Sequence, residues 1–156
     1  MERLVKWFIS VALFYYLVGI TLGTAFVTFP SLHSFIDEGP GSLIKWVHGH
    51  INLLGWVSMT LFALIYWFVS ELTKKPIFSE TLSWAHFYLA NLGLLGMLII
   101  SAVGGYIGGK KFAAGVAENV IYAELTPVLL IDLGFTFIFL IAGLIFIYNI
   151  LRSLYS

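Results

Sequence analysis

Two histidines, His48 and His50, are the residues of this chain most able to do chemistry, and they lie in a long apolar stretch. Polar side chains inside a bilayer are costly and usually serve a function. Each residue of an α-helix advances by about 100°, so residues two apart point in nearly opposite directions. The spacing therefore predicts two separate sites, or one ligand histidine and one hydrogen-bonding histidine.

Neutral imidazole is a common axial ligand of haem iron. The chain has no cysteine, which excludes disulfides, iron–sulfur clusters, covalent c-type haem and thiolate-bound zinc or copper. On the His48 side lie Asn52 and Gly55, and Gly55 removes a side chain where a flat macrocycle could lie. We therefore expect non-covalent haem b at His50, His48 or both, with Asn52 and Gly55 in the cofactor site. The alternative is that both histidines only hydrogen-bond backbone or water between helices.

Asp132 is an acid within an apolar run, close to the expected depth of the histidines. It could accept a hydrogen bond from a ligand histidine's second ring nitrogen, or pair with Lys45 or a loop amide. Asp132 and Trp56 are therefore candidates for supporting the ligand. No further side chains have a metal-ligand spacing, so copper or non-haem iron is not expected.

The elements that must hold these residues are membrane helices. The sequence is 60% hydrophobic and 10% charged, with a mean hydropathy of +0.98, and four apolar runs exceed the roughly 20 residues that cross a bilayer. We predict an all-α integral membrane four-helix bundle, one transmembrane domain over residues 1–156, with helices at about 5–28, 43–70, 84–107 and 127–152. Residues 30–43 are expected to form a polar loop, and Pro127 to begin the fourth helix. A net charge of zero gives no indication of nucleic-acid binding.

The distribution of positive charge predicts the orientation. Cytoplasmic loops carry an excess of Lys and Arg, and five such residues fall on the side of the termini against three on the other. The five are Arg3, Lys6, Lys74, Lys75 and Arg152, and the three are Lys45, Lys110 and Lys111. We expect both termini to be cytoplasmic, in the plasma (inner) membrane. This puts the histidine pair near the outer face and His86 near the inner face, where an interface role is the main expectation.

The stretch His48-Gly49-His50, followed by Leu54-Gly55-Trp56-Val57 and then Phe62 and Tyr66, resembles the catalytic subunit of haem-copper oxidases. The likeness is to C-type cytochrome c oxidases and nitric oxide reductases, and it continues more weakly to Tyr148-Asn149. The chain looks like the last four helices of that subunit as a short stand-alone protein. The resemblance implies that His48 corresponds to the high-spin haem ligand and His50 to the low-spin haem ligand.

The resemblance implies haem binding but not oxygen reduction with proton pumping, because the family's copper ligands have no counterpart in this sequence. The second axial histidine of the low-spin haem has none either, so we expect a homo-oligomer, or respiratory-complex subunits, to complete the site. Three functions remain open: a membrane cytochrome b that transfers electrons or binds NO or O₂, a minimal reductase-like oxidoreductase, and an accessory or haem-handling subunit. Whether the protein is an enzyme is undecided by the sequence.

Overall fold

The computed structural model describes residues 1–155, which form helices without any strand. The helices are α1 (Glu2–Thr28), α2 (Pro30–Asp37), α3 (Gly39–Thr73), α4 (Glu80–Ala113) and α5 (Glu118–Tyr155). All except α2 are long and apolar enough to cross a membrane. The predicted all-α membrane four-helix bundle is confirmed.

The segment 30–43 is not the loop that its prolines and glycines indicated. Helix α2 occupies its first half, with Pro30 in the first turn, where its missing N–H costs nothing. A 3₁₀ turn at Gly39–Gly41 then forms the first turn of α3. The chain therefore folds back into the membrane by a short helix that lies outside the four spans.

A charged cluster at this end of the bundle joins α2 to α3. The Asp37 carboxylate accepts a hydrogen bond from Lys45 Nζ at 2.7 Å and lies 3.1 Å from His33 Nδ1. The hydrogen bond from Lys45 lowers the pKa of the Asp37 carboxyl group, and the charge of His33 adds to the effect. Lys45 is therefore engaged with Asp37, and the expected alternative of a pair with Asp132 is not found.

Helix α5 begins well before Pro127, which lies inside it and not at its start. Helix α4 likewise continues to Ala113, so the connection between the two helices is only residues 114–117, where Gly115 has a φ of +84°. Membrane helices tolerate an internal proline because neighbouring turns and helices satisfy the freed backbone groups. The residues between the predicted helices 84–107 and 127–152 therefore mostly extend these two helices.

Helix α3 lies between α1 on one side and the closely packed pair α4 and α5 on the other. The glycines of α4 allow the α4–α5 contact: a Cβ on Gly96 would lie 2.1 Å from Phe135 Cδ1, and one on Gly93 would lie 2.7 Å from the Phe139 backbone nitrogen. Because α3 is central, the two faces that carry its histidines meet different neighbours.

At the other end of α3, His86 is fully buried among the rings of Phe8, Phe62, Tyr66 and Phe146. Its Nδ1 lies 3.1 Å from the Tyr66 hydroxyl group. Its Nε2 has no hydrogen-bond partner within the described residues. These contacts join α1, α3, α4 and α5, so His86 lies where the helices meet.

Candidate functional site

Helix α3 changes its geometry immediately after the two histidines. Residues Ser42–His50 are α-helical, Ile51–Ser58 form a π-helix, and Met59–Thr73 return to α-helix. The Ser58 hydroxyl group donates to the carbonyl group of Leu53, five residues earlier, at 2.8 Å. π-Helices are rare, usually a single turn long, and frequent at functional sites. No sequence pattern predicted this segment.

His48 faces α1, where two glycines make room for it and its neighbour. A Cβ on Gly23 would lie 2.8 Å from His48 Cε1, and one on Gly19 would lie 2.6 Å from Asn52 Oδ1. The Gly-x-x-x-Gly spacing of α1, a common helix-packing pattern in membranes, thus accommodates two polar side chains of α3.

The side chain of Asn52 lies against the ring of His48. Asn52 Nδ2 donates to the carbonyl oxygen of His48 at 2.9 Å. The same nitrogen lies 3.2 Å from His48 Nδ1 and 3.5 Å from His48 Nε2, so it contacts the ring beside both nitrogens and selects neither of them as the acceptor.

His48, Asn52 and Trp56 line an open groove of about 570 Å³ between α3 and α1. Its other lining residues are Tyr16, Ile20, Gly23, Thr24, Val27 and Thr28. This volume lies within the range of about 300–1,000 Å³ that is usual for small-molecule sites. The groove is therefore large enough for a sizeable ligand.

Gly55 does not line either cavity of α3 that contains a histidine. A Cβ at this position would lie 2.6 Å from Tyr15 Cγ. The space expected for a flat macrocycle is thus occupied by the Tyr15 ring, whose hydroxyl group donates to Asn91 Oδ1 at 3.2 Å. Gly55 permits the close contact between α1 and α3.

The tautomer of His50 is fixed by its own helix. Its Nδ1 lies 2.8 Å from the carbonyl oxygen of Trp46, and because a carbonyl group only accepts, Nδ1 carries the hydrogen. The lone pair of Nε2 is left free. Metal-bound histidines commonly donate their other ring N–H to a backbone carbonyl group in this way.

A second, smaller cavity of about 150 Å³ lies beside His50, between α3, α4 and α5. Its apolar lining residues are Val47, Leu54, Met97, Leu98 and Phe139, and its polar ones are Ser101, Asp132 and Thr136. A cavity of about this size holds a benzene-sized molecule. The chain can thus enclose only the edge of a larger macrocycle at His50.

Asp132 lies in the His50 cavity but bonds to neither histidine. Its Oδ1 accepts a hydrogen bond from the Ser101 hydroxyl group at 3.0 Å, while the ring N–H of His50 is engaged with Trp46. Ser101 and Thr136 were not predicted as site residues, because single hydroxyl residues in apolar helices often bond only to their own backbone. The Thr136 hydroxyl group lies 3.1 Å from the carbonyl oxygen of Asp132 in its own helix and 3.2 Å from Met97 Sδ of α4.

The two faces of α3 thus differ. The His48 groove has the larger volume, whereas the bond from His50 Nδ1 to the Trp46 carbonyl oxygen leaves a lone pair free on His50 Nε2.

The donor set agrees with axial ligation of a macrocyclic metal. No group of three or more metal-ligating side chains is found among residues 1–155. Each histidine can therefore offer a single bond, which is what haem iron takes from an axial imidazole.

Comparison with known proteins gives one clear result. No curated protein matches the chain. The family described as Cytochrome C and Quinol oxidase polypeptide I matches residues 41–138, more than half of the chain. This range begins at the start of α3, includes both histidines, and ends within α5 beyond Asp132. The resemblance to the haem-copper oxidase subunit is confirmed: the chain belongs to the cytochrome c and quinol oxidase polypeptide I family and is a haem-copper oxidase-like integral membrane protein.

Proposed function

We propose that the protein is a membrane cytochrome that binds haem b non-covalently, with His50 as an axial ligand. The observation that carries the proposal is the bond from His50 Nδ1 to the Trp46 carbonyl oxygen, which leaves Nε2 as the free nitrogen of a ring lining a cavity. His48, whose ring contacts the Asn52 side chain, is the second candidate ligand.

The residues around His50 are suited to holding a flat apolar cofactor. Val47, Leu54, Met97 and Phe139 supply apolar contacts that exclude water from one edge of the site. The Trp46 carbonyl group keeps the imidazole ring from rotating. A bound haem supplies a one-electron redox centre at this position. These contacts therefore support electron transfer as the basic activity.

A second chain is needed to complete the site. The cavity of about 150 Å³ accounts for only one edge of the cofactor. Helix α5 forms part of this cavity, and only 6% of its most apolar 18-residue stretch is buried within the chain. A two-fold interface repeats the same patch on both partners, so a homodimer would bring a second imidazole to the other side of the iron. With this position filled the protein transfers electrons, and with it open the iron binds a diatomic gas such as NO or O₂. Respiratory-complex subunits are the alternative partner.

We further propose that the chain lies in the plasma (inner) membrane with both termini in the cytoplasm. The N-terminal amine lies 3.9 Å from Glu80, and the Phe78 backbone N–H donates to Ser153 at 2.8 Å. The start of α1, the start of α4 and the end of α5 thus share one end of the bundle. Positively charged residues are more numerous there, which supports a cytoplasmic location.

The proposal is tested by absorption spectroscopy of the protein purified in detergent from cells supplied with haem. We expect a Soret band and a reduced-minus-oxidised difference spectrum in the wild type. His50→Ala should remove most of the bound haem, because it removes the proposed axial ligand. The matched control is His33→Ala, since His33 is exposed on α2 and bonded to Asp37, and it should bind haem as the wild type does.

Addition of CO to the reduced protein distinguishes the two activities. A protein with two axial imidazoles keeps its spectrum, whereas a five-coordinate iron gives a shifted Soret band. A wild type without any Soret band after haem supplementation would contradict the proposed function, and an unchanged spectrum in both His50→Ala and His48→Ala would contradict the ligand assignment.

A further inference from the structure

The cavity beside His50 contains an acid without a cationic partner. Asp132 of α5 lines this cavity together with His50 of α3 and accepts a hydrogen bond from Ser101 of α4. His50 is the only other titratable group in the described lining of this cavity. A carboxyl group inside a membrane is energetically costly and usually functional. A nearby group that stabilises its negative charge is therefore expected.

The three lysines of these helices contact other groups. Lys45 of α3 bonds to Asp37 of α2. Lys111, near the end of α4, bonds to Glu124, near the start of α5. Lys110 lies over the Tyr106 ring, 5.6 Å from its centroid. None of these cations belongs to the lining of the His50 cavity, so Asp132 is left to act on whatever His50 binds.

We propose that Asp132 is an electrostatic partner of the iron bound at His50, and that its carboxylate stabilises the ferric state relative to the ferrous state. This inference rests on the proposed function. Reduction adds one electron to the iron and removes one unit of positive charge, with no bond made or broken in the protein. A negative charge fixed nearby in a medium of low dielectric constant opposes that step, because Coulomb interactions are strong where water is excluded.

Ser101 is the positioning residue of this arrangement. Its hydroxyl group bonds to Oδ1 at 3.0 Å and so holds the carboxyl group at the boundary between α4 and α5. Asp132 and His50 lie on different helices, so the charge and the ligand keep their relative position only while α3 packs against α4. The effect therefore depends on the intact bundle.

The test is a redox titration of the haem absorbance of the purified holoprotein, with dithionite as the reductant. In Asp132→Asn, which removes the charge at nearly constant volume, the equilibrium constant for reduction should rise by on the order of tenfold, or about 59 mV for a one-electron couple. Asp132→Glu keeps the charge and should remain close to the wild type. Glu124→Gln removes a charge from the same helix outside the cavity and should also leave the potential close to the wild-type value.

The outcomes separate this inference from the proposed function. An unchanged potential in Asp132→Asn would overturn the inference while leaving haem binding intact. The same rise of the potential in Glu124→Gln would show a general effect of charge. The same rise in Asp132→Glu would show an effect of side-chain shape. Either result would also overturn the inference. A wild type that binds no haem is the failure of the proposed function alone.

Discussion

The two histidines of α3 differ in what their ring nitrogens contact. His50 Nδ1 donates to the carbonyl oxygen of Trp46, four residues earlier in the same helix, and this bond fixes its tautomer. The His48 ring lies against the side chain of Asn52, four residues later, whose Nδ2 contacts both of its nitrogens. Only His50 therefore has a tautomer that its own helix sets.

Gly55 provides a prediction about close packing. A Cβ at this position would lie 2.6 Å from the Tyr15 ring, and Tyr15 is buried and hydrogen-bonded to Asn91, so it has little freedom to move. Overpacking of this kind typically costs about 1–3 kcal/mol. We therefore expect Gly55→Ala to lower the free energy of unfolding in detergent by this amount, as measured by denaturant titration.

The matched control for this change is Gly134→Ala on α5. A Cβ on Gly134 meets no atom within 4 Å, and alanine is a better helix former than glycine by about 1 kcal/mol. This variant should be as stable as the wild type or more stable. Equal stability of the two alanine variants would mean that Tyr15 moves aside without cost.

Some features of the site were predictable at the scale of residues. The divergence of His48 and His50 follows from the helical period, and the structure keeps it because both lie in the α-helical part of α3. The role of Gly55 could not be predicted, because the absence of a side chain does not reveal which neighbour fills the space. Only the packing of α1 shows that this neighbour is Tyr15.

At the scale of elements, the apolar runs predicted the four spans but not their ends. Helix α5 begins at Glu118, because charged residues such as Glu124 and Lys111 pair across the two helices and extend them beyond the apolar core. The π-helical segment of α3 could not be predicted from the sequence for a different reason. It depends on how α1 and α4 pack around Ile51–Ser58, and its composition is that of any apolar helix.

Asn149 provides a prediction about how α5 is fixed to α4. It is fully buried, and its side chain donates to the Ser79 carbonyl oxygen and the Ser83 hydroxyl group, both at 2.9 Å, and accepts from the Ser79 N–H at 3.0 Å. Ser79 is the N-cap of α4. Asn149→Ala removes all three bonds and leaves the Ser79 N–H without its partner, at about 1–3 kcal/mol for an unsatisfied group, while the Ser79 carbonyl oxygen and the Ser83 hydroxyl group keep the bond between them. We expect a clear fall in thermal unfolding temperature, measured by circular dichroism in detergent.

The neighbouring residue supplies the control for this experiment. Tyr148 is exposed on the same turn of α5, so Tyr148→Phe should leave the unfolding temperature unchanged. A fall of equal size in both variants would indicate that this turn is generally sensitive, and that the bonds of Asn149 have no special weight.

At the scale of the whole molecule, the bundle separates its polar groups into two ends. The histidine pair and Asp132 belong to the end where α2 caps the bundle, and His86, Tyr66 and Asn149 belong to the end that contains both termini. A cofactor at His50 therefore lies near one membrane surface, so the side of the membrane that this surface faces decides which compartment supplies its electron partner.

The absence of cysteine from the sequence allows this orientation to be tested directly. Pro76 and Ala117 are exposed in connections at opposite ends of the bundle, so Pro76→Cys and Ala117→Cys each introduce a single thiol into a background without any. With five positive residues on the side of the termini against three on the other, we expect a membrane-impermeant maleimide to label Ala117→Cys in intact cells and Pro76→Cys only after lysis. Denatured samples of both variants control for thiol reactivity. The reverse pattern would place the haem end in the cytoplasm, and the electron donor would then be sought there.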